Sequence, residues 1–129
     1  MTSAFRFGAA SEKNLIGVQP DLVRVARLAL MHSAIDFKIT EGRRSVKRQA
    51  ELVASGASQT MNSRHLTGHA IDVAALVGGR VRWDWPLYSK IANAFSLAST
   101  DLKIPVVWGG DWRKFPDGPH FELLRSAYP

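Results

Sequence analysis

The sequence contains no cysteine. Disulfide bonds, thiolate metal ligands and a cysteine nucleophile are therefore all excluded. A tightly bound metal ion must then be held by nitrogen and oxygen donors, which His, Asp and Glu side chains supply. The chain offers four histidines and eleven acidic residues for such a site.

Long apolar segments are also missing. No run approaches the roughly 20 residues that a membrane-spanning helix needs, and residues 1–8 lack the apolar core of a secretory signal. We find no internal repeat, linker or low-complexity tract. We therefore expect a protein made in the cytosol, without a transmembrane segment. It should fold as one domain over residues 1–129, because this length is too short for two independently stable cores.

Acidic residues are outnumbered by basic ones, 11 to 17, which gives a net charge of +6. Such an excess favours polyanionic partners, namely nucleic acid, anionic lipid or an acidic cell-wall polymer. A basic surface with no specific partner is the alternative. The aromatic residues do not alternate with basic ones as in a single-strand binding groove, and no nucleic-acid motif is present. We therefore expect no nucleic-acid partner.

Hydrophobic periodicity predicts an α+β fold in which about three helices flank a small antiparallel sheet. Helices are predicted over residues 20–31, from a cap at 45 to about 54, and from about 86 to 99; strands are predicted over 36–41, 70–77, 80–83, 105–108 and 119–123. Gly78 and Gly79 form the predicted hairpin turn between two of the strands. Residues 57–64 are polar and are expected to form a surface loop.

Two histidines occur in patterns that suit a metal centre. Residues 63–72 read S-x-H-x-x-G-x-A-x-D and contain His65 and Asp72, while His120 follows Asp117 by three positions. A carboxylate at position 72, among apolar strand neighbours, is costly to bury unless it is paired or binds a cation. Two imidazoles, one ligand carboxylate and one spare carboxylate are what a hydrolytic zinc centre requires. Local sequence does not prove that the two segments meet.

Each of these residues also has a simpler interpretation. An isolated buried histidine such as His65 is often only hydrogen-bonded in the core, and an acid beside glycine and proline, such as Asp117, often forms a turn. Glu122 is an alternative to Asp117 as a base, although on a strand it shares a face with the histidine two positions earlier. His32 is expected to interact with a helix end, and His69 is not expected to be a ligand.

Taken together, these motifs resemble the zinc D-alanyl-D-alanine carboxypeptidase family, which includes dipeptidases and the phage L-alanyl-D-glutamate endopeptidases, or endolysins. The segment 42–45 is similar to the G-x-R-S segment of that family, and 108–112, W-G-G-D-W, is similar to a segment typical of the endolysin branch. The resemblance extends over nearly the whole chain. It implies the small α+β scaffold shared by DD-peptidases and Hedgehog signalling domains.

The resemblance also implies roles for individual residues. Zn²⁺ would be held by His65, Asp72 and His120. Asp117 would be the general base and acid, although most relatives in the carboxypeptidase branch have glutamate there. The catalytic cation that polarises the scissile carbonyl would be Arg44, with Arg43 as its alternative. The implied substrate-binding residues are Ser63 and Gln49, and Ser63 could instead orient the site.

The function implied is that of a phage-type endolysin that cuts the peptidoglycan stem peptide between L-alanine and D-glutamate to lyse the host cell. A monomer of this kind would wait in the host cytoplasm until a holin opens a route to the periplasm and cell wall. Its positive charge would assist at anionic cell-envelope polymers or lipopolysaccharide. We expect no separate cell-wall-binding domain within residues 1–129, and the short basic connection from 112 to 117 gives no support for calcium control.

Three other functions are compatible with parts of the pattern. A D,D- or L,D-carboxypeptidase or dipeptidase of the same family would act on other bonds of the same peptides. A non-catalytic zinc-containing wall-binding domain would keep the metal and lose hydrolysis. A non-haem iron oxygenase also uses two histidines and a carboxylate, but its H-x-D pair on a β-barrel does not match the spacing of His65 and Asp72.

Overall fold

The structure is a computed structural model that describes residues 5–129. This range contains four α-helices, five strands and two short 3-10 turns. The helices are α1 (Ala9–Asn14), α2 (Pro20–His32), α3 (Val46–Ala54) and α4 (Trp85–Leu102). The strands are β1 (Asp36–Glu41), β2 (Ala70–Val77), β3 (Arg80–Arg82), β4 (Val106–Trp108) and β5 (His120–Leu123), and the 3-10 turns are Arg64–Thr67 and Gly109–Asp111. The predicted α+β class is confirmed.

The structure has one helix more than the three predicted. Helix α1 has six residues, of which only Ser11 is buried, so the sequence has no apolar stripe that predicts this helix. Helices this short are not stable alone, and tertiary contacts hold this one. The Ser11 hydroxyl accepts a hydrogen bond from the Ile39 amide at 3.0 Å, and Glu12 accepts two from Arg27 at 2.7 and 2.8 Å. None of the helices in the described range is long and apolar enough to cross a membrane.

The sheet runs in the order β1-β2-β5-β4, and every neighbouring pair is antiparallel. Strand β3 forms a hairpin with the C-terminal end of β2. In the centre of the sheet, Asp72 of β2 lies opposite His120 of β5 on one side and opposite Glu41 of β1 on the other. The pairing with Glu41 depends on a register shift after Ile39, a bulge of the kind that redirects side chains. The topology therefore brings three polar residues side by side.

One face of the sheet packs against helices α2 and α4 to form the hydrophobic core. Ile71 and Val73 of β2, with Phe121 and Leu123 of β5, contribute fully buried side chains to it. The ring of Phe121 stacks on that of Phe95 from α4, with centroids 3.9 Å apart. Because side chains alternate along a strand, residues 72, 120 and 122 lie on the opposite face. Helical packing thus supports the sheet from one side and leaves the other for the site.

Candidate metal centre and active site

The three predicted metal ligands come together on the face of the sheet opposite the hydrophobic core. Candidate ligand atoms of His65, Asp72 and His120 lie within 4.8 Å of one another. Asp72 and His120 are paired across β2 and β5, although 48 positions separate them in sequence. Both histidines are buried, and their rings meet edge to face with centroids 5.1 Å apart. This cluster could hold a metal ion.

The turn that carries His65 is shaped by the residues on either side of it. The Ser63 hydroxyl caps the 3-10 turn by accepting a hydrogen bond from the His65 amide at 3.2 Å. Gly68 ends the turn with a φ of 75°, in the left-handed region that glycine enters without steric cost. A Cβ at position 68 would also lie 2.3 Å from the Gly17 carbonyl oxygen, so a side chain has no room there. The motif serine and glycine thus both orient the histidine.

The hydrogen bonding of His65 leaves one ring nitrogen ready to bind a metal ion. Its Nδ1 lies 2.8 Å from the Gly42 carbonyl oxygen, which can only accept, so Nδ1 carries the proton. In the neutral ring, Nε2 then carries the free lone pair; it is buried, has no hydrogen-bond partner and lies 3.3 Å from Asp72 Oδ1. A buried nitrogen lone pair without a partner is unfavourable unless a cation occupies the space beside it. This observation fits a metal ligand better than a core histidine.

His120 is held between two carboxylates. Its Nδ1 lies 3.2 Å from Asp72 Oδ1, and its Nε2 lies 2.8 Å from Glu122 Oε1. Burial alone would lower the pKa of His120, but its hydrogen bonds with Asp72 and Glu122 raise it to about 9. Burial would raise the pKa of Asp72, but interactions with His120 and His65 outweigh burial and hold it well below its ordinary value. A divalent cation that displaced the His120 proton would supply the charge that these carboxylates require.

Asp117 lies on a tight turn beside this cluster. Its amide donates to the Gly109 carbonyl oxygen at 2.9 Å, and its own carbonyl oxygen accepts from the His120 amide at 3.2 Å. A Cβ at position 109 would lie 2.4 Å from the Asp117 carbonyl oxygen, so the glycine allows this close approach. Burial and the negative charge of Asp72 raise the pKa of Asp117, against the opposing charges of His120, His65 and Arg44. A raised pKa brings this carboxyl group closer to the range in which it exchanges protons.

Arg44 is fixed at the edge of the cluster by three partners. Its Nε and Nη2 donate to the two Glu41 oxygens at 2.8 Å each, and Nη1 donates to Gln49 Oε1 at 2.6 Å. Nη2 also lies 3.5 Å from Asp72 Oδ2. These contacts engage four of the five N–H groups of a guanidinium and leave one on Nη1. The neighbouring Arg43 is exposed and does not line the cleft.

Gln49 has protein partners at both ends of its side-chain amide. Its side chain is 0% exposed, and its Oε1 accepts from Arg44. Its Nε2 donates to the Ser58 hydroxyl at 2.8 Å and to the Thr60 carbonyl oxygen. Both ends of the amide are therefore used within the protein, and the substrate contact expected for Gln49 stays a prediction. Gln49 ties Arg44 to the loop that carries Ser58 and Thr60.

A cleft of about 640 Å³ opens over the cluster, Arg44 and Asp117. The Trp112 ring lies against that of His120, with centroids 4.9 Å apart. Phe115 also lines the cleft; it is 68% exposed and has a φ of 51°, in the left-handed region that phenylalanine rarely adopts. The cleft therefore combines a polar floor with aromatic walls, as small-molecule and peptide sites commonly do.

The remaining two histidines lie outside the cluster. His32, at the last position of α2, has its Nε2 3.4 Å from Asp101 Oδ2. The Nδ1 of His69 lies 2.7 Å from the Thr67 hydroxyl. Neither contributes to the group of donors described above.

Two partners of the site residues were missed in the sequence. Glu41 was interpreted only as a strand residue, and its role in holding Arg44 depends on a bulge that periodicity does not predict. Glu122 was considered only as a rival base, whereas its Oε1 is engaged with His120. Its position on the same strand face, two residues after His120, is the signal that predicts this contact. Metal-bound histidines commonly donate their second ring N–H to such a carboxylate.

Comparisons with known proteins identify the family. Residues 3–124 match the model of the phage L-alanyl-D-glutamate peptidase family. The L-alanyl-D-glutamate peptidase of Escherichia phage T5 is 39% identical over 97% of this chain and 93% of that protein. The peptidoglycan L-alanyl-D-glutamate endopeptidase CwlK of Bacillus subtilis is 34% identical over 76% of this chain and 66% of that protein.

A solved structure agrees with these matches. The Serratia marcescens L-Ala D-Glu endopeptidase ChiX superimposes with a TM-score of 0.91 and 51% sequence identity, covering 98% of this chain and 96% of that one. The resemblance inferred from the motifs is therefore confirmed, and so is the endolysin branch within it. The chain belongs to the phage L-alanyl-D-glutamate peptidase family.

Proposed function

We propose that this protein hydrolyses the L-alanyl-D-glutamyl bond of peptidoglycan stem peptides, using Zn²⁺ held by His65, Asp72 and His120. The observation that carries the proposal is the convergence of these donors within 4.8 Å, in a cleft that Asp117 and Arg44 also line. The names of the relatives, which specify L-alanyl-D-glutamate peptidases, support the choice of bond.

The donor set suits zinc in a catalytic rather than a structural role. Two imidazole nitrogens and one carboxylate oxygen make three protein ligands, and catalytic zinc sites leave the fourth position for water or substrate. His65 would bind through Nε2, because its Nδ1 is committed to the Gly42 carbonyl oxygen. His120 would bind through Nδ1, because its Nε2 faces Glu122. When bound, zinc polarises the substrate carbonyl and lowers the pKa of water towards about 7.

Asp117 would act as the general base and then as the general acid. As a base, its carboxylate takes one proton from the attacking water, whose oxygen forms a bond to the alanyl carbonyl carbon. As an acid, it then passes that proton to the nitrogen of the D-glutamyl residue as the C–N bond breaks. The products are a free alanyl carboxylate and a free glutamyl amine. Burial and the nearby Asp72 raise the pKa of Asp117, which suits a group that must both accept and release a proton.

Arg44 would stabilise the oxyanion that forms on the alanyl carbonyl group. The N–H group left free on Nη1 is the one available to the substrate. The other N–H groups are engaged by Glu41, Gln49 and Asp72, so the guanidinium needs no rearrangement during the reaction. Donors fixed in advance stabilise developing charge better than mobile ones. Ser63 would act by orienting the turn that carries His65.

In the cell, the protein would serve as an endolysin. It would reach the cell wall from the host cytoplasm through a holin-dependent lesion and act there as a monomer. The net charge of +6 would hold it near anionic cell-envelope polymers or lipopolysaccharide.

Product analysis tests this proposal. Purified peptidoglycan is digested with and without a chelator, and the fragments are examined by mass spectrometry for a new N-terminal D-glutamyl group. We expect this group to appear, to disappear with the chelator and to return with added Zn²⁺. Metal analysis of the purified protein should give about one zinc per chain.

Other results would select another function. Release of terminal D-alanine would identify a carboxypeptidase. Binding to peptidoglycan without new chain ends would identify a non-catalytic wall-binding domain.

A further inference from the structure

Arg125 is an unpaired cation in the wall of the active-site cleft. It follows β5, lines the cleft together with Arg64 and Glu122, and is exposed. Among the residues that the structure describes, it has no hydrogen bond or ion pair. Arg44, by contrast, has four of its five N–H groups engaged by Glu41, Gln49 and Asp72. Arg125 is thus available to bind an acceptor group of a ligand that enters the cleft.

A second guanidinium lies beside it. Arg64 is 7% exposed and is held by its Nη2, which donates to the carbonyl oxygens of Leu123 and Tyr128. Its Nε is buried without a hydrogen-bond partner, because the nearest Glu122 oxygen is 3.9 Å away. Glu122 uses its other oxygen for His120. Glu122 is therefore shared between Arg64 and His120.

The charges at this end of the cleft are unbalanced. Burial, and then the charges of Arg64 and Arg125, lower the pKa of the neighbouring His69, and the two arginines repel each other. An anion bound by Arg125 beside Arg64 would relieve this repulsion.

We propose that Arg125, backed by Arg64, forms a specificity subsite that binds a carboxylate of the stem peptide on the D-glutamyl side of the scissile bond. This inference rests on the proposed function, because it takes the substrate from it. A γ-linked D-glutamyl residue keeps its α-carboxylate free, and the diamino acid that follows can carry another. The shared ligand chemistry is a carboxylate, which guanidinium groups bind in a planar, bidentate manner.

The test uses a synthetic N-acetylated stem peptide, L-alanyl-γ-D-glutamyl-diaminopimelyl-D-alanine amide, and the zinc-loaded protein. Arg125→Gln should lower kcat/KM about tenfold, mainly through KM, because the subsite binds ground state and transition state alike. Arg125→Lys should recover part of the lost kcat/KM, since lysine keeps the positive charge but lacks the planar guanidinium that binds a carboxylate through two N–H groups. Arg80→Gln, on exposed β3, removes the same charge away from the cleft and serves as the control.

Three amidated peptides, two with one carboxylate amidated and one with both, identify the carboxylate. If amidating the glutamyl α-carboxylate abolishes the difference between wild type and Arg125→Gln, that group is the ligand. If amidating the free diaminopimelyl carboxylate abolishes it, that group is the ligand, and either result supports the subsite. The proposal is overturned if Arg125→Gln behaves like Arg80→Gln, or if its effect persists on a peptide with both groups amidated.

The same experiment separates this inference from the proposed function. If the wild-type protein cleaves none of the peptides, the proposed function fails. If the wild type cleaves all of them at the alanyl-glutamyl bond and Arg125→Gln has no specific effect, only the subsite fails.

Discussion

His120 and Phe121 are neighbours on β5, yet they belong to two different environments. Phe121 is 0% exposed and stacks on Phe95 in the core between the sheet and its helices. His120 points the other way and lies between Asp72 and Glu122. The same alternation places Ile71 and Asp72 on opposite faces of β2. One sheet thus carries a packed face and a charged face, and consecutive residues of a strand belong to different faces.

The difference separates what stabilises the molecule from what gives it chemistry. Apolar burial on the packed face contributes roughly 25 cal/mol for each Å² removed from water. On the charged face, buried ionisable groups compensate mainly one another, and a nitrogen of His65 has no partner. Such an arrangement is costly unless a cation completes it. Substitutions on the packed face should therefore lower stability, whereas substitutions on the charged face should lower metal binding or activity.

The largest effect is expected on the charged face, for His120→Ala. Loss of this donor should remove the metal ion and lower peptidoglycan hydrolysis by at least about 10⁴-fold, while the packed face keeps the protein folded. Zinc content and turbidity loss of outer-membrane-permeabilised cells measure the two results. His32→Ala, at the end of α2, is the matched control and should retain both properties. Full zinc stoichiometry in His120→Ala would refute the ligand assignment.

The next largest effect tests whether Asp117 is chemically different from the ligands beside it. Asp117→Asn should keep the metal ion but lower kcat by roughly 10²–10⁴-fold, because only the proton acceptor is lost. Asp111→Asn, in the adjacent 3-10 turn, is the control and should retain the wild-type rate. A rate near wild type for Asp117→Asn would make Glu122 the candidate base.

On the packed face, Phe121→Ala should produce the opposite pattern. Removing a buried aromatic ring costs about 3–5 kcal/mol of unfolding free energy, which in a chain of this size lowers Tm by on the order of 10 °C. The molecules that remain folded should still bind zinc and cleave peptidoglycan at a near-normal rate at low temperature. Calorimetry, with zinc content measured on the folded fraction, checks both. A folded variant without metal would show that the faces are not independent.

The packed face was also the part that the sequence predicted well. Residues 70–77 were predicted as a strand with apolar neighbours around Asp72, and two of these neighbours, Ile71 and Val73, are fully buried. Ser45 was predicted to cap a helix, and its hydroxyl accepts from the Arg48 amide at 3.0 Å. These features depend on neighbours in sequence. Helix α1 was missed because its stability comes from tertiary contacts rather than from its own pattern.

The charged face was only partly predictable, because its contacts cross the chain. Local spacing could place His65 and Asp72 in one segment, but the meeting of Asp72 with His120 requires the pairing of β2 with β5. The family resemblance supplied that step. The resemblance implies a role for Gln49 in the site, but it does not predict that the side chain is buried and bound to Arg44. The catalytic roles of Asp117 and Arg44 stay predictions.

A smaller effect is expected from pH, and only on the charged face. The pKa of His120 is raised to about 9, above the ordinary value of about 6.5 that applies in the unfolded chain. The stabilisation that this shift provides is complete below about pH 6.5 and is lost as pH rises through about 9. Chelator-treated protein should therefore lose about 3 kcal/mol of unfolding free energy between these pH values.

The metal-loaded protein should respond differently, because zinc displaces the His120 proton. Its advantage in Tm over the chelator-treated protein should widen as pH rises from about 6.5 to 9. Calorimetric titration with zinc in buffers of different ionisation enthalpy, near pH 7, should detect proton release. Equal Tm differences across this range would contradict the assignment of His120 as the proton-bearing ligand.

The smallest effect concerns Glu41, which lies on the charged face but does not bind the metal in our assignment. Glu41→Gln removes the charge that holds Arg44 through Nε and Nη2, so the guanidinium should reorient. We expect kcat to fall about tenfold with KM and zinc content nearly unchanged, because oriented donors act mainly on the transition state. Glu51→Gln, exposed on α3, is the matched control. A rise in KM with unchanged kcat would instead mean that Arg44 binds the substrate in its ground state, and the contrast between the faces would then concern binding rather than catalysis.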